Sequence, residues 1–266
     1  MKFKTVVMLA LYFMPIILLS FGVFDQTWQL FACFVASGFG MAGIGMGVMH
    51  DAIHGTYSQN PKINKILGYT LNLVGANATV WKIQHNVLHH SYTNIPEGDD
   101  DINAPFFLRF SPHAPKNKMH AFQHWYTWIF YGLSTVSWVT SKDFIRFDRY
   151  YKMGMFKGKD VYRNTVLKII AWKLVYYAFI LGLPIAFSPF GIGQILLAFL
   201  LYLVVWIPLL STMTLLRTRI TKVVLRLWKV VWTKRRIIMI VMLMFMIAFL
   251  VFSLLTVLLA QVFPIG

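Results

Sequence analysis

A single cysteine, Cys33, in 266 residues excludes a disulfide framework, a CxxC metal site and a thiolate redox pair. Acid is nearly as scarce: 9 Asp and Glu stand against 25 Lys and Arg, a net charge of +16. No Glu-x-x-His pair occurs, so the carboxylate-rich metal site of soluble helical bundles is excluded. The last carboxylate side chain is Asp160 and the last imidazole His124; from Leu200 onward asparagine is also absent, and glycine returns only at Gly266. No internal repeat and no flexible linker is visible.

Apolar residues are abundant, at 58% of the chain, with a mean hydropathy of +0.62. Runs long enough to cross a hydrocarbon core of roughly 30 Å cover residues 6–23, 28–49, 169–187, 192–216 and 237–263. The basic residues do not form a nucleic-acid-binding domain. They collect at Lys2 and Lys4, between Lys62 and Lys168, and between Arg217 and Arg236, while the connections Asp25–Thr27 and Ser188–Gly191 carry none. With alternating spans these three places fall on one side, a positive-inside pattern that predicts a cytoplasmic location for them. The N-terminal run lacks a small-residue cleavage site and is expected to be a retained anchor.

Two shorter apolar pieces lie within the basic stretch between Lys62 and Lys168. Residues 66–80 are not expected to cross, because crossing would separate the two histidine groups described next. Residues 125–141, with three tryptophans and two tyrosines, suit the headgroup zone. A further span there is the alternative, but it would export the basic segment 142–168.

Five of the eight histidines fall into two boxes, His50-Asp-Ala-Ile-His54 and His85-Asn-Val-Leu-His89-His90. On a helix His50 and His54 project from one face, as do His85 and His89, with His90 turned by about 100°. One HxxxH is weak evidence, whereas two on the same membrane face, with an adjacent third imidazole, point to a metal site for zinc, copper or iron. Five imidazoles exceed the needs of one zinc and point to two metals. Asp51 either orients an imidazole from behind or is simply solvated at a helix start. His113 lies outside the boxes; His120 and His124 share a helix face and read as interfacial polar residues.

HDAIHG, HNVLHHSYTN, the following Asp99-Asp100-Asp101, and the stretches His120-Ala-Phe-Gln-His124-Trp-Tyr and Trp138-Val-Thr-Ser-Lys-Asp-Phe144 together resemble the membrane fatty acid desaturases, the front-end or linoleoyl-type members above all. The likeness runs over about residues 1–200. It implies an O2-dependent oxidoreductase that places a double bond in a fatty acyl chain, with two irons held by histidines from three boxes. By resemblance His50, His54, His85, His89 and His90 would be iron ligands, and Trp81 either lines the acyl tunnel or anchors at the interface. The substrate implied is an acyl lipid or acyl-CoA, and the electron donor a separate cytochrome- or ferredoxin-type protein. The implied fold is all-α and polytopic: four family-like transmembrane helices, a cytoplasmic histidine-box cap and an added C-terminal span.

The family's third box, His or Gln followed by x-x-His-His, has no counterpart here; its place, 218–236, holds arginines and lysines. Two irons want about eight nitrogen ligands and the two boxes supply five. Residues 1–200 are thus expected to form a desaturase-like membrane domain and 201–266 a divergent basic and hydrophobic region. Three explanations stand open: a reading frame whose true ending is lost, a membrane protein that keeps the half-site for a non-catalytic metal-binding role, or ligands donated by a second subunit. A related di-iron hydroxylase is the neighbouring enzymatic reading.

Overall fold

The computed structural model describes residues 2–93, 95, 98–100, 106–109 and 113–203. The expected span at 237–263 and the basic segment 217–236 lie outside the described residues. The described residues contain helices and no strands. Among the described residues, three helices are long and apolar enough to cross a membrane: α1 (Lys2–Ser20), α2 (Thr27–Ile53) and α7 (Lys159–Phe187). Between them lie α3 (Pro61–Gly68), a turn at Thr70–Leu73, α4 (Ala78–Lys82), α5 (Gln123–Val139) and α6 (Lys142–Lys152). A shorter apolar helix, α8 (Ile192–Leu203), runs to the edge of the described chain.

The helices begin and end differently from the apolar runs. α2 continues four residues past the expected 49 and carries the first histidine box on its last turn, and α7 begins ten residues before the expected 169. Asp51 therefore stands near the end of the continuous helix Thr27–Ile53. Residues 66–80 form no single long helix; they are broken into the end of α3, the Thr70–Leu73 turn and the start of α4. Residues 125–141 fall largely in α5, a 17-residue helix with Trp125 exposed.

Glycine brings α1 and α2 together. A Cβ on Gly40 would lie 2.3 Å from the Tyr12 backbone nitrogen, so the backbones meet directly there. Small residues at such a crossing let van der Waals packing replace the hydrophobic drive that lipid does not supply. Ser37 adds a bond to the Tyr12 carbonyl at 2.8 Å. α7 closes the bundle: Phe179 packs on Phe13 and Tyr12, and Tyr176 and Ile180 join the buried core.

The histidine-bearing segments sit at the end of the bundle where α1 begins, as the Thr5–Tyr57 hydroxyl contact of 2.6 Å shows. Asn77 caps α4, accepting from the Thr79 and Val80 amides at 3.0 and 3.1 Å, while Asn72 accepts from Ala78 at 2.8 Å. Gly75, at φ 90°, makes the turn before this cap, with Val139 and Tyr176 crowding the space a side chain would occupy. Lys173 of α7 reaches up beneath it. Its ammonium meets the carbonyls of Gly75, Trp138 and Val139 at 3.0–3.1 Å and the Asp143 carboxylate at 2.9 Å. A charge within an apolar span is tolerable only when satisfied in this way.

Candidate metal centre

The two boxes meet. Ligand atoms of His50, His54 and His85 all lie within 4.8 Å of one another, the spacing of donors around one ion. The His50 ring centroid is 4.6 Å from that of His54 and 5.3 Å from that of His85. His90 closes on His54 and His85, both at 4.9 Å, and His89 lies 5.2 Å from His85. All five imidazoles named from the sequence therefore form one contiguous group.

Helix winding accounts for the way the second box presents its three rings. Ile83–His89 is a π-helix, and Gly45–Met49, just before the first box, is another. A π turn closes on the fifth residue, so each residue rotates through less than the 100° of an α-helix. His89 and His90 then straddle the direction of His85, and the 100° divergence expected for His90 is reduced. The nearly equal ring distances of His89 and His90 from His85, 5.2 and 4.9 Å, record that symmetry.

Carboxylates fix two of the rings from behind. Asp51 lies 3.2 Å from His50 Nδ1. Asp99, fully buried, approaches His89 Nδ1 with both oxygens, at 3.0 and 3.1 Å. A proton held on Nδ1 leaves Nε2 with the lone pair that a metal needs. Burial first, then the neighbouring His50, His85 and His90, pushes His54 down from 6.5 to about 4. It is accordingly neutral, the donor form, at physiological pH.

Trp81 is buried, not exposed in the manner of an interfacial anchor. It stacks on His85 at 4.5 Å and meets His50 and His54 edge-on at 5.9 and 6.4 Å, closing one side of the histidine group. His113 and His124 are exposed. His120 is occupied locally: Nδ1 accepts from the Asn117 amide at 3.0 Å and Nε2 donates to the Phe106 carbonyl at 3.0 Å.

The family model for fatty acid desaturase matches residues 26–218, well over half the chain. The chain belongs to the fatty acid desaturase family. That match extends 18 residues past the boundary of 200 expected from composition. Similar proteins include the sn-1 linoleoyl-lipid 6-desaturase of Arthrospira platensis, 32% identical over 196 residues, which cover 71% of this chain and 51% of that protein. The sn-1 linoleoyl-lipid 6-desaturase of Synechocystis is 31% identical over 174 residues, 64% of this chain and 46% of that one. A chloroplastic acyl-lipid (7-3)-desaturase of Chlamydomonas reinhardtii is 34% identical over 149 residues, covering 55% and 28%. The chain thus matches about half the length of these relatives or less. No solved structure matches it.

Several residues at the site escaped the sequence reading. In the sequence Asp99 and Asp100 are simply two of three consecutive aspartates. Arg146, Arg149 and Tyr150, which meet the buried Asp100 in a part-buried polar cluster, carry no motif that marks them. Their separation of 46–50 residues leaves no periodic signal.

Proposed function

We propose that the five-histidine group binds iron and that this chain carries the first two histidine boxes of an O2-dependent acyl-lipid desaturase. The observation that carries the reading is the convergence of His50, His54 and His85 donor atoms within 4.8 Å, with His89 and His90 alongside. The donor set fits: all-imidazole ligation suits iron, and His54 is held neutral. Bound iron supplies the oxidising power for removing hydrogen from an unactivated methylene, which no side chain can provide. His50, His54, His85, His89 and His90 hold it, Asp51 and Asp99 orient rings, and Trp81 shields one side and borders the acyl chain.

The substrate class follows the relatives, a fatty acyl chain carried on a lipid or CoA, with electrons from a separate cytochrome- or ferredoxin-type donor. The three long apolar helices and the basic residues between Lys62 and Lys168 support an integral membrane protein with the histidine boxes on the cytoplasmic side. Residues 1–200 are the desaturase-like domain in this reading and 201–266 a divergent region.

A full two-iron site needs more imidazoles than five, and no residue after His124 supplies one. We therefore expect the 266-residue chain alone to bind fewer than two irons and to form no new double bonds in a host lipid profile. Purified-chain iron content together with gas chromatography of host acyl chains tests this; two irons with altered unsaturation overturns it. The second reading is a non-catalytic membrane protein in which the histidine group is a residual metal-binding surface. Translating the other frames downstream of codon 200 separates the two. An x-x-His-His box there supports the desaturase reading, and an intact frame without one supports the second.

A further inference from the structure

We propose that α6, which contains no histidine, sets the orientation of His89 by gripping Asp100, the residue next to its carboxylate partner Asp99. The inference rests on the metal-site reading of the histidine group and adds a positioning element to it.

Three residues of α6 make the grip. The Asp100 side chain is fully buried. It receives Arg146 Nη1 at 2.7 Å, Arg149 Nη1 in a closer contact, and the Tyr150 hydroxyl at 2.7 Å. Arg146 Nη2 also donates to the Asp100 backbone carbonyl at 3.3 Å, so side chain and main chain are held together. Burial, then the hydrogen bond to Asp100, pushes the Tyr150 hydroxyl well above its ordinary range, and it remains a proton donor. One peptide bond away, Asp99 presents both oxygens to His89 Nδ1.

α6 is in turn fixed against the back of the second box. Phe147 and Tyr150 share one buried cluster with Val80 of α4, Leu88 of its π extension and Ile169 of α7. At its first turn Asp143 pairs with Lys173. A buried carboxylate with two guanidinium partners contributes little net stability, because desolvation offsets the attraction. What such a cluster does supply is a single geometry. Here that geometry belongs to the residue adjoining Asp99.

The test reads the tautomer of His89 in the metal-free full chain, using ring-15N histidine and NMR in lipid bilayers, with the signal assigned by loss in His89→Gln. In the wild type the expected form carries the proton on Nδ1, facing Asp99. Tyr150→Phe keeps the ring packing and removes one bond to Asp100; Arg149→Lys keeps the charge and removes the planar fork. Both are expected to raise the minor Nε2–H form of His89 several-fold, while His50, held by Asp51 independently of α6, stays unchanged. An unaltered His89 in both variants, or His50 and His89 shifting together, overturns the proposal. Cobalt(II) binding by the wild type is measured separately: its absence refutes the metal reading, whereas the tautomer result still decides the role of α6.

Discussion

Trp81 stacks on His85 with ring centroids 4.5 Å apart and planes inclined by 26°. One tryptophan thereby fixes the first ring of the second box and covers the side of the group facing His50 and His54. Trp81→Ala is expected to lower cobalt(II) affinity by about 10-fold, the scale of losing a ligand's outer support, with Trp81→Phe retaining most of it. Titration followed by visible absorption checks this. Equal affinity in all three proteins would remove Trp81 from the site.

Lys173 and Asp143 give a second prediction. Lys173→Met leaves a buried carboxylate without its cation, a change that costs about 3–5 kcal/mol in a dry site. Burial already pushes the Asp143 carboxyl up, with Lys173 the chief counterweight. Lys173→Met/Asp143→Asn should therefore recover part of the stability lost in Lys173→Met. Thermal unfolding in detergent measures both, and a double variant no more stable than the single one contradicts the pairing.

His54 provides a pH dependence whose sign is fixed. Unfolded, it takes a proton near 6.5; folded, only near 4. Between these values the unfolded chain binds more protons, so the contribution is fully present above 6.5 and is lost as pH falls toward 4. The metal-free protein should lose stability across that window, and His54→Gln should flatten the slope. Unfolding midpoints taken at intervals between the two values check it; an unchanged slope in the variant contradicts it.

The legible part of this protein was its punctuation by polar residues in an apolar background. The histidine boxes, the short basic-free connections and the long apolar helices all follow from composition and local spacing. Spacing also predicted the shared faces within each box. It carries no signal for the π winding that brings His90 as near to His85 as His89 is, because a one-residue change of turn leaves no trace in a short motif. The helix ends were blurred for a related reason: α2 and α7 continue into polar sequence, where hydropathy falls but helical hydrogen bonding does not. Asp100 with Arg146, Arg149 and Tyr150, and Lys173 with Gly75, are contacts between distant segments. They depend on tertiary packing, and no periodicity encodes them.

The central claim is that five histidines from two distant boxes form one metal-binding group. Its most direct measurement is cobalt(II) or iron(II) binding by the purified 266-residue chain, by titration and metal analysis, beside His54→Ala and His85→Ala. Saturable binding by the wild type and its loss in both variants are expected, since each variant breaks the three-donor set. Binding that survives both substitutions, or no binding by the wild type, would contradict it.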